Sequence, residues 1–167
     1  ISIISGAPPE AVADLSIQIM GDAVELNWSA VTLDTSGLTT TLDRYVVYRG
    51  TSAYFDAVPG DSIGVTDPLT LSFSDNNIDG ADVVGDTSLQ YFYVVRAVDF
   101  LGSSSAVSNR VGEYDYRLLT TSSTDYNLVG IPFTNTGITT ADELIGAIGS
   151  GNVLTVNNYV ASSQSYQ

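Results

Sequence analysis

The sequence predicts an all-β sandwich followed by a partial strand-helix-strand module, and three observations support that architecture. Tyr91-Phe92-Tyr93-Val94-Val95-Arg96-Ala97-Val98-Asp99-Phe100-Leu101-Gly102 alternates large apolar residues over one face of a strand and then meets a glycine turn, the pattern of a sandwich's central strand. Val24-Glu25-Leu26-Asn27-Trp28 and Tyr45-Val46-Val47-Tyr48-Arg49 carry the same aromatic and β-branched content upstream. From Arg117 the texture changes to a single helical pattern set between short strands.

Taken in order, Ile1 to Ser5 reads as a short β segment, broken by Gly6-Ala7-Pro8-Pro9, where two prolines remove donors and impose extended geometry. Val12, Leu15, Ile17 and Ile19 make a first strand, and Gly21-Asp22 turns it into Val24, Leu26 and Trp28. Residues 31–43 form a Thr-rich loop before the strand Tyr45-Val46-Val47-Tyr48, which Arg49-Gly50-Thr51 ends. Ser62-Ile63-Gly64-Val65 and Leu69-Thr70-Leu71-Ser72-Phe73 are short strands between the breaks Pro59-Gly60 and Asp67-Pro68. Trp28, Tyr45, Val47, Tyr91, Val95 and Ala97 are expected to point inward.

The order of a Trp strand, a Tyr-rich strand and the Tyr91 strand resembles the fibronectin type III family, an immunoglobulin-like sandwich. The resemblance covers residues 8–116 and implies that Trp28 is the core Trp, Tyr91 the corner Tyr, Gly102 the turn after the central strand and Ser105 to Gly112 the last strand of the sandwich. Residues 1–7 then form an N-terminal β segment and linker, and residues 117–167 a partial second module.

In that second module Tyr126 to Phe133 reads as a strand and Thr139 to Gly149 as a short helix. Thr140 or Thr139 caps the helix, Asp142 and Glu143 favour its first turn, Gly149 ends it, and Leu144, Ile145 and Ile148 share one face. Val153 to Val156 and Tyr159-Val160 continue as strand before a polar turn at Ser162-Ser163-Gln164. Asn127-Leu128-Val129-Gly130-Ile131-Pro132 and Thr140-Ala141-Asp142-Glu143-Leu144 resemble the first half of a β-rich module of bacterial and archaeal surface proteins. One helix and two or three strands bury too little apolar surface to close a core. The chain is therefore expected to be a mature or excised piece, with this half-module completed by its own continuation, by the Ile1-Ser2-Ile3-Ile4 strand, or by a neighbouring subunit through strand addition.

The formal charge of −14 rests on nineteen acids against five arginines, with no lysine, so a basic face for nucleic acid is excluded. With neither Cys nor His, the chain lacks disulfides, thiolate nucleophiles, imidazole bases and His- or Cys-ligated metals, and the missing Lys removes Schiff-base chemistry. No apolar run reaches the roughly 18 residues of a membrane span. An acidic, Ser/Thr/Asn/Gly-rich surface with 44% apolar residues suits a secreted or cell-surface β-protein.

The best site candidate is Asp75-Asn76-Asn77-Ile78-Asp79-Gly80, which has oxygen ligands at loop positions 1, 3 and 5, Gly at 6 and Asp86 at 12. Asp75, Asn77, Asp79, the Ala81 carbonyl and Asp86 offer the oxygens that Ca²⁺ takes. The competing reading is an Asx-turned acidic loop whose other acids are solvated, and the flanking strands count against an EF-hand. Asp142-Glu143 cannot serve as a glycosidase pair, because helical neighbours diverge by about 100°. Tyr45, Tyr48, Tyr54, Phe55, Tyr91 and Tyr93 are candidates for a polysaccharide-stacking platform, against the alternative of core and cross-strand packing.

The function expected from these features is a non-catalytic structural or adhesive module of a modular extracellular protein. The alternatives are an accessory module of a secreted hydrolase, whether spacer or carbohydrate-binding, and a subunit of a filament built by strand addition.

Overall fold

The computed structural model describes residues 6–86, 88–113, 140–148, 159–160 and 165–166. The chain divides into two compact units, Ile1–Phe133 and Thr134–Gln167. The expected Ile1 to Ser5 segment, the boundary at 116/117, the strands at 126–133 and 153–156, the helix stop at Gly149 and the turn at Ser162-Ser163-Gln164 lie outside the described residues.

The first unit is a sandwich of two antiparallel sheets. β1 (Ser16–Met20), β2 (Ala23–Asn27) and β5 (Ser72–Asp75) form one sheet in the order β1-β2-β5. β3 (Leu42–Gly50), β4 (Ser62–Thr66), β6 (Phe92–Asp99) and β7 (Val111–Gly112) form the other in the order β4-β3-β6-β7. The β1-β2 hairpin turns at Gly21, whose φ of +63° suits a residue without a Cβ. In the second sheet the register sets Tyr45 opposite Ala97 and Val47 opposite Val95, which puts all four on one face. All six expected core residues, Trp28, Tyr45, Val47, Tyr91, Val95 and Ala97, sit in the main core with Val24, Leu26 and Tyr93. Trp28 meets Tyr45 edge to face with ring centroids 5.5 Å apart, the geometry that aromatic quadrupoles favour.

The boundaries differ from expectation most in three places. Val12 and Leu15 are buried but precede β1, which begins at Ser16 and carries an exposed Ile19. β5 begins at Ser72 rather than Leu69, because Asp67 Oδ1 accepts the backbone N–H groups of Leu69 (2.8 Å) and Thr70 (3.1 Å), holding an Asx turn that leaves Leu69 in solvent. The last strand is a ladder only at Val111–Gly112. Upstream, the hydroxyls of Ser105 and Ser108 accept the N–H groups of Ala97 (3.0 Å) and Val95 (2.9 Å), filling positions that strand carbonyls would take.

The two central strands of the second sheet, β3 and β6, are buried on both faces. Val46, Tyr48, Val94 and Val98 point away from the main core and form a second apolar cluster, covered by Phe55, Ala57 and Val107. Phe92 to Val95 is an unbroken apolar run rather than a strict alternation, which is the mark of a strand buried on both sides. Close approach between the sheets also explains Gly64, where an added Cβ would lie 2.2 Å from the Phe73 ring.

In the second unit α1 (Ala141–Ile148) starts where the capping pattern placed it. Thr140 Oγ1 accepts the Glu143 N–H (3.2 Å) and Glu143 Oε2 accepts the Thr140 N–H (2.9 Å), a reciprocal capping box with Asp142 and Glu143 in the first turn. Leu144 and Ile145 are half-buried. β8 (Tyr159–Val160) pairs antiparallel with β9 (Ser165–Tyr166).

Candidate functional site

Asp75, the last residue of β5, is the pivot of the acidic loop. Its side chain is fully buried between the sheets, where Oδ2 accepts from Arg49 Nη1 of β3 (2.7 Å) and from the Tyr93 hydroxyl of β6 (3.0 Å). Oδ1 accepts the Ile78 N–H (3.2 Å), and Arg49 Nη2 donates to the Ile78 carbonyl (3.0 Å), so carboxylate and guanidinium together clamp the start of the loop. The Arg49 guanidinium also lies 5.4 Å from the centre of the Tyr91 ring. Three strands and both sheets thus converge on one charged cluster. Burial first, and then the neighbouring carboxylate, push the Tyr93 phenol far above its ordinary value.

The remaining positions of the calcium pattern serve the loop itself. Asn77 and Asp79 adopt left-handed backbone conformations, with φ of 56° and 59°, which short polar residues tolerate best. Asn77 Oδ1 accepts the Val83 N–H (3.1 Å), pinning Val83 into the main core. Asp79 is exposed and Ala81 half-buried. Asp86 Oδ1 accepts the Ser88 N–H (2.9 Å), and hydrogen bonds from Ser88 hold its carboxyl below the usual range. Asp75, Asp79 and Asp86 do not converge as a group that could hold an ion, and no other such group occurs among the described residues. The spacing was legible, but the same Asp-x-Asn-x-Asp-Gly signal marks an Asx-folded loop.

The aromatic candidates divide in the same way. Tyr45 and Tyr93 are fully buried, Tyr91, Tyr48 and Phe55 are largely covered, and Tyr54 is 83% exposed. The Tyr45 hydroxyl accepts the Val31 N–H (2.9 Å), and burial raises its pKa. A six-ring platform is therefore absent; five of the rings build the two apolar clusters and the Asp75 clamp. A groove of about 290 Å³ runs between residues 10–14 and 29–33. Two of its lining residues are joined by the hydrogen bond from Ser29 N–H to Asp14 Oδ1 (3.0 Å), and bonds from Ser29 lower the Asp14 pKa.

No family model and no curated protein matches the chain. Among solved structures, pectate lyase PelI from Erwinia chrysanthemi in complex with tetragalacturonic acid is 27% identical, covering 59% of this chain and 27% of that one, with a TM-score of 0.42. The spore cortex lytic enzyme SleM of Clostridium perfringens is 21% identical over 65% of this chain and 29% of its own, with a TM-score of 0.44. The twitchin kinase region (Fn31-NL-kin-CRD-Ig26) from C. elegans is 16% identical over 68% and 18%, with a TM-score of 0.46. The chain spans less than a third of the length of each. Likeness at this level carries no activity over to this chain.

Two features escaped the sequence reading. The Arg49–Asp75 pair is 26 residues apart and had no local signal. The outer-face cluster did have one, the continuous apolar run in β6.

Proposed function

We propose that residues 8–116 form a fibronectin type III-like module that acts as a non-catalytic structural or adhesive segment of a secreted or cell-surface modular protein. One observation carries this reading: the side chains best suited to chemistry, Asp75, Arg49 and Tyr93, are buried and spent on joining the two sheets. The strand order β1-β2-β5 over β4-β3-β6-β7 supports it, as do the buried Trp28 and Tyr91 and the turn at Gly102, whose φ is +83°. Without Cys, His or Lys, any reaction would rest on arginine, carboxylates and hydroxyls alone.

Protease shaving of intact source cells, followed by peptide mass spectrometry, tests the location. Peptides from residues 8–113 should be released before lysis. In parallel, the purified chain should release no reducing ends from polysaccharides and no fragments from proteins. Peptides found only after lysis, or turnover that survives purification to homogeneity, would sink the proposal.

A further inference from the structure

The loop between β3 and β4 and the segment leading into β7 bring Tyr54, Phe55 and Arg110 together on the surface of the first unit. The Arg110 guanidinium carbon lies 5.3 Å from the centre of the Phe55 ring and 5.8 Å from that of Tyr54. Phe55 is anchored in the outer-face apolar cluster, which fixes the position of the group, while Tyr54 stands in solvent. Arg110 Nη1 is buried and has no hydrogen-bond acceptor. The other described arginines do have one: Arg44 pairs with Asp43, Arg49 with Asp75, and Arg96 donates to the Ser105 carbonyl. Among the described arginines, Arg110 alone lies against two rings and has a buried nitrogen without an acceptor.

We propose that Tyr54 and Arg110 form a binding subsite for a uronic acid residue of a polysaccharide. An exposed ring presents an apolar face to the C–H face of a pyranose. The Nε–Nη2 edge of the guanidinium, which unlike Nη1 is not among the buried atoms, offers two parallel N–H donors to a carboxylate on that same sugar, and the neighbouring rings shield its other side from water. A peptide carboxylate fits less well. Peptide recognition uses a free strand edge or a groove, and β3, which leads into this loop, is paired on both edges by β4 and β6. The net charge of −14 favours ligands whose carboxylates are sparse. This subsite goes beyond the structural reading and is separable from it, since binding and cell location are measured independently.

The test is a ¹⁵N NMR titration of the full chain with three probes: a glucuronate-containing tetrasaccharide, its neutral glucose counterpart and an acidic peptide. The acidic sugar should shift the amides of Tyr54 and Phe55 and the Arg110 Nε–H, more strongly than either other probe. Tyr54→Ala, at an exposed position, should abolish the response. Arg110→Gln should reduce the affinity for the acidic sugar about tenfold, to the level of the neutral one. Arg110→Lys keeps the charge without the fork, and should weaken binding several-fold even if the Gln variant fails to fold. No shift at these residues, an equal or stronger response to the peptide, or undiminished binding by folded Tyr54→Ala or by the Arg110 variants would overturn the proposal.

Discussion

Asp75→Asn is the most direct probe of how the sandwich holds together. The substitution preserves shape and removes one charge from a pair whose side chains are 0% (Asp75) and 10% (Arg49) exposed. Arg49 is then left buried without its counter-ion. Breaking a buried pair from one side costs about 3–5 kcal/mol, because the surviving charge loses its compensation while its desolvation persists. The Asn carbonyl oxygen still accepts from the Tyr93 hydroxyl, so the expected loss is near the lower end, about 3 kcal/mol. Urea titration of the full chain, followed by the fluorescence of its single Trp, measures this, since Trp28 lies in the sandwich core. The double variant Arg49→Met with Asp75→Leu, which removes both charges, should recover most of the loss. A loss for Asp75→Asn below about 1 kcal/mol at unchanged m-value would show that Arg49 is solvated and the clamp is not structural.

Trp28→Ala should cost about 3–5 kcal/mol in the same titration, as a buried aromatic packed against Tyr45. Gly64→Ala should cost about 1–3 kcal/mol by driving a Cβ into the Phe73 ring, whereas Gly60→Ala, with open space around it, should leave the midpoint unchanged; equal midpoints would refute the close sheet approach. The raised Tyr93 pKa favours the fold while the phenol is neutral, so that stability is fully present below the ordinary value of 10.0 and is lost as pH rises through the folded value; tyrosinate absorbance should show late-ionising tyrosines, the last of which Tyr93→Phe removes. Melting curves in EDTA and in millimolar Ca²⁺ should superimpose, since Asp75 Oδ2 already carries Arg49 and Tyr93; a calcium-dependent rise in Tm would restore residues 75–86 as an ion site.

What the sequence determined by itself rests on short-range rules. A period of two picks out Tyr45, Val47, Val95 and Ala97 as one face, because side chains on a strand alternate whatever the partner strand is. Thr140 with Glu143 announces the helix start, because both halves of that capping box lie within one turn. Tertiary structure decided how the polar groups are used. The run from Asp75 to Gly80 suits an ion or a self-satisfied loop equally well by spacing. The matter turns on Arg49, which arrives from the opposite sheet because β3 pairs with β6 in a register that sets Arg49 opposite Tyr93. The burial of Val46, Tyr48, Val94 and Val98 likewise needed a loop and the segment before β7 to fold over the outer face. Alternation is a property of one strand, whereas pairing a charge or covering a second face depends on distances set only when distant segments meet.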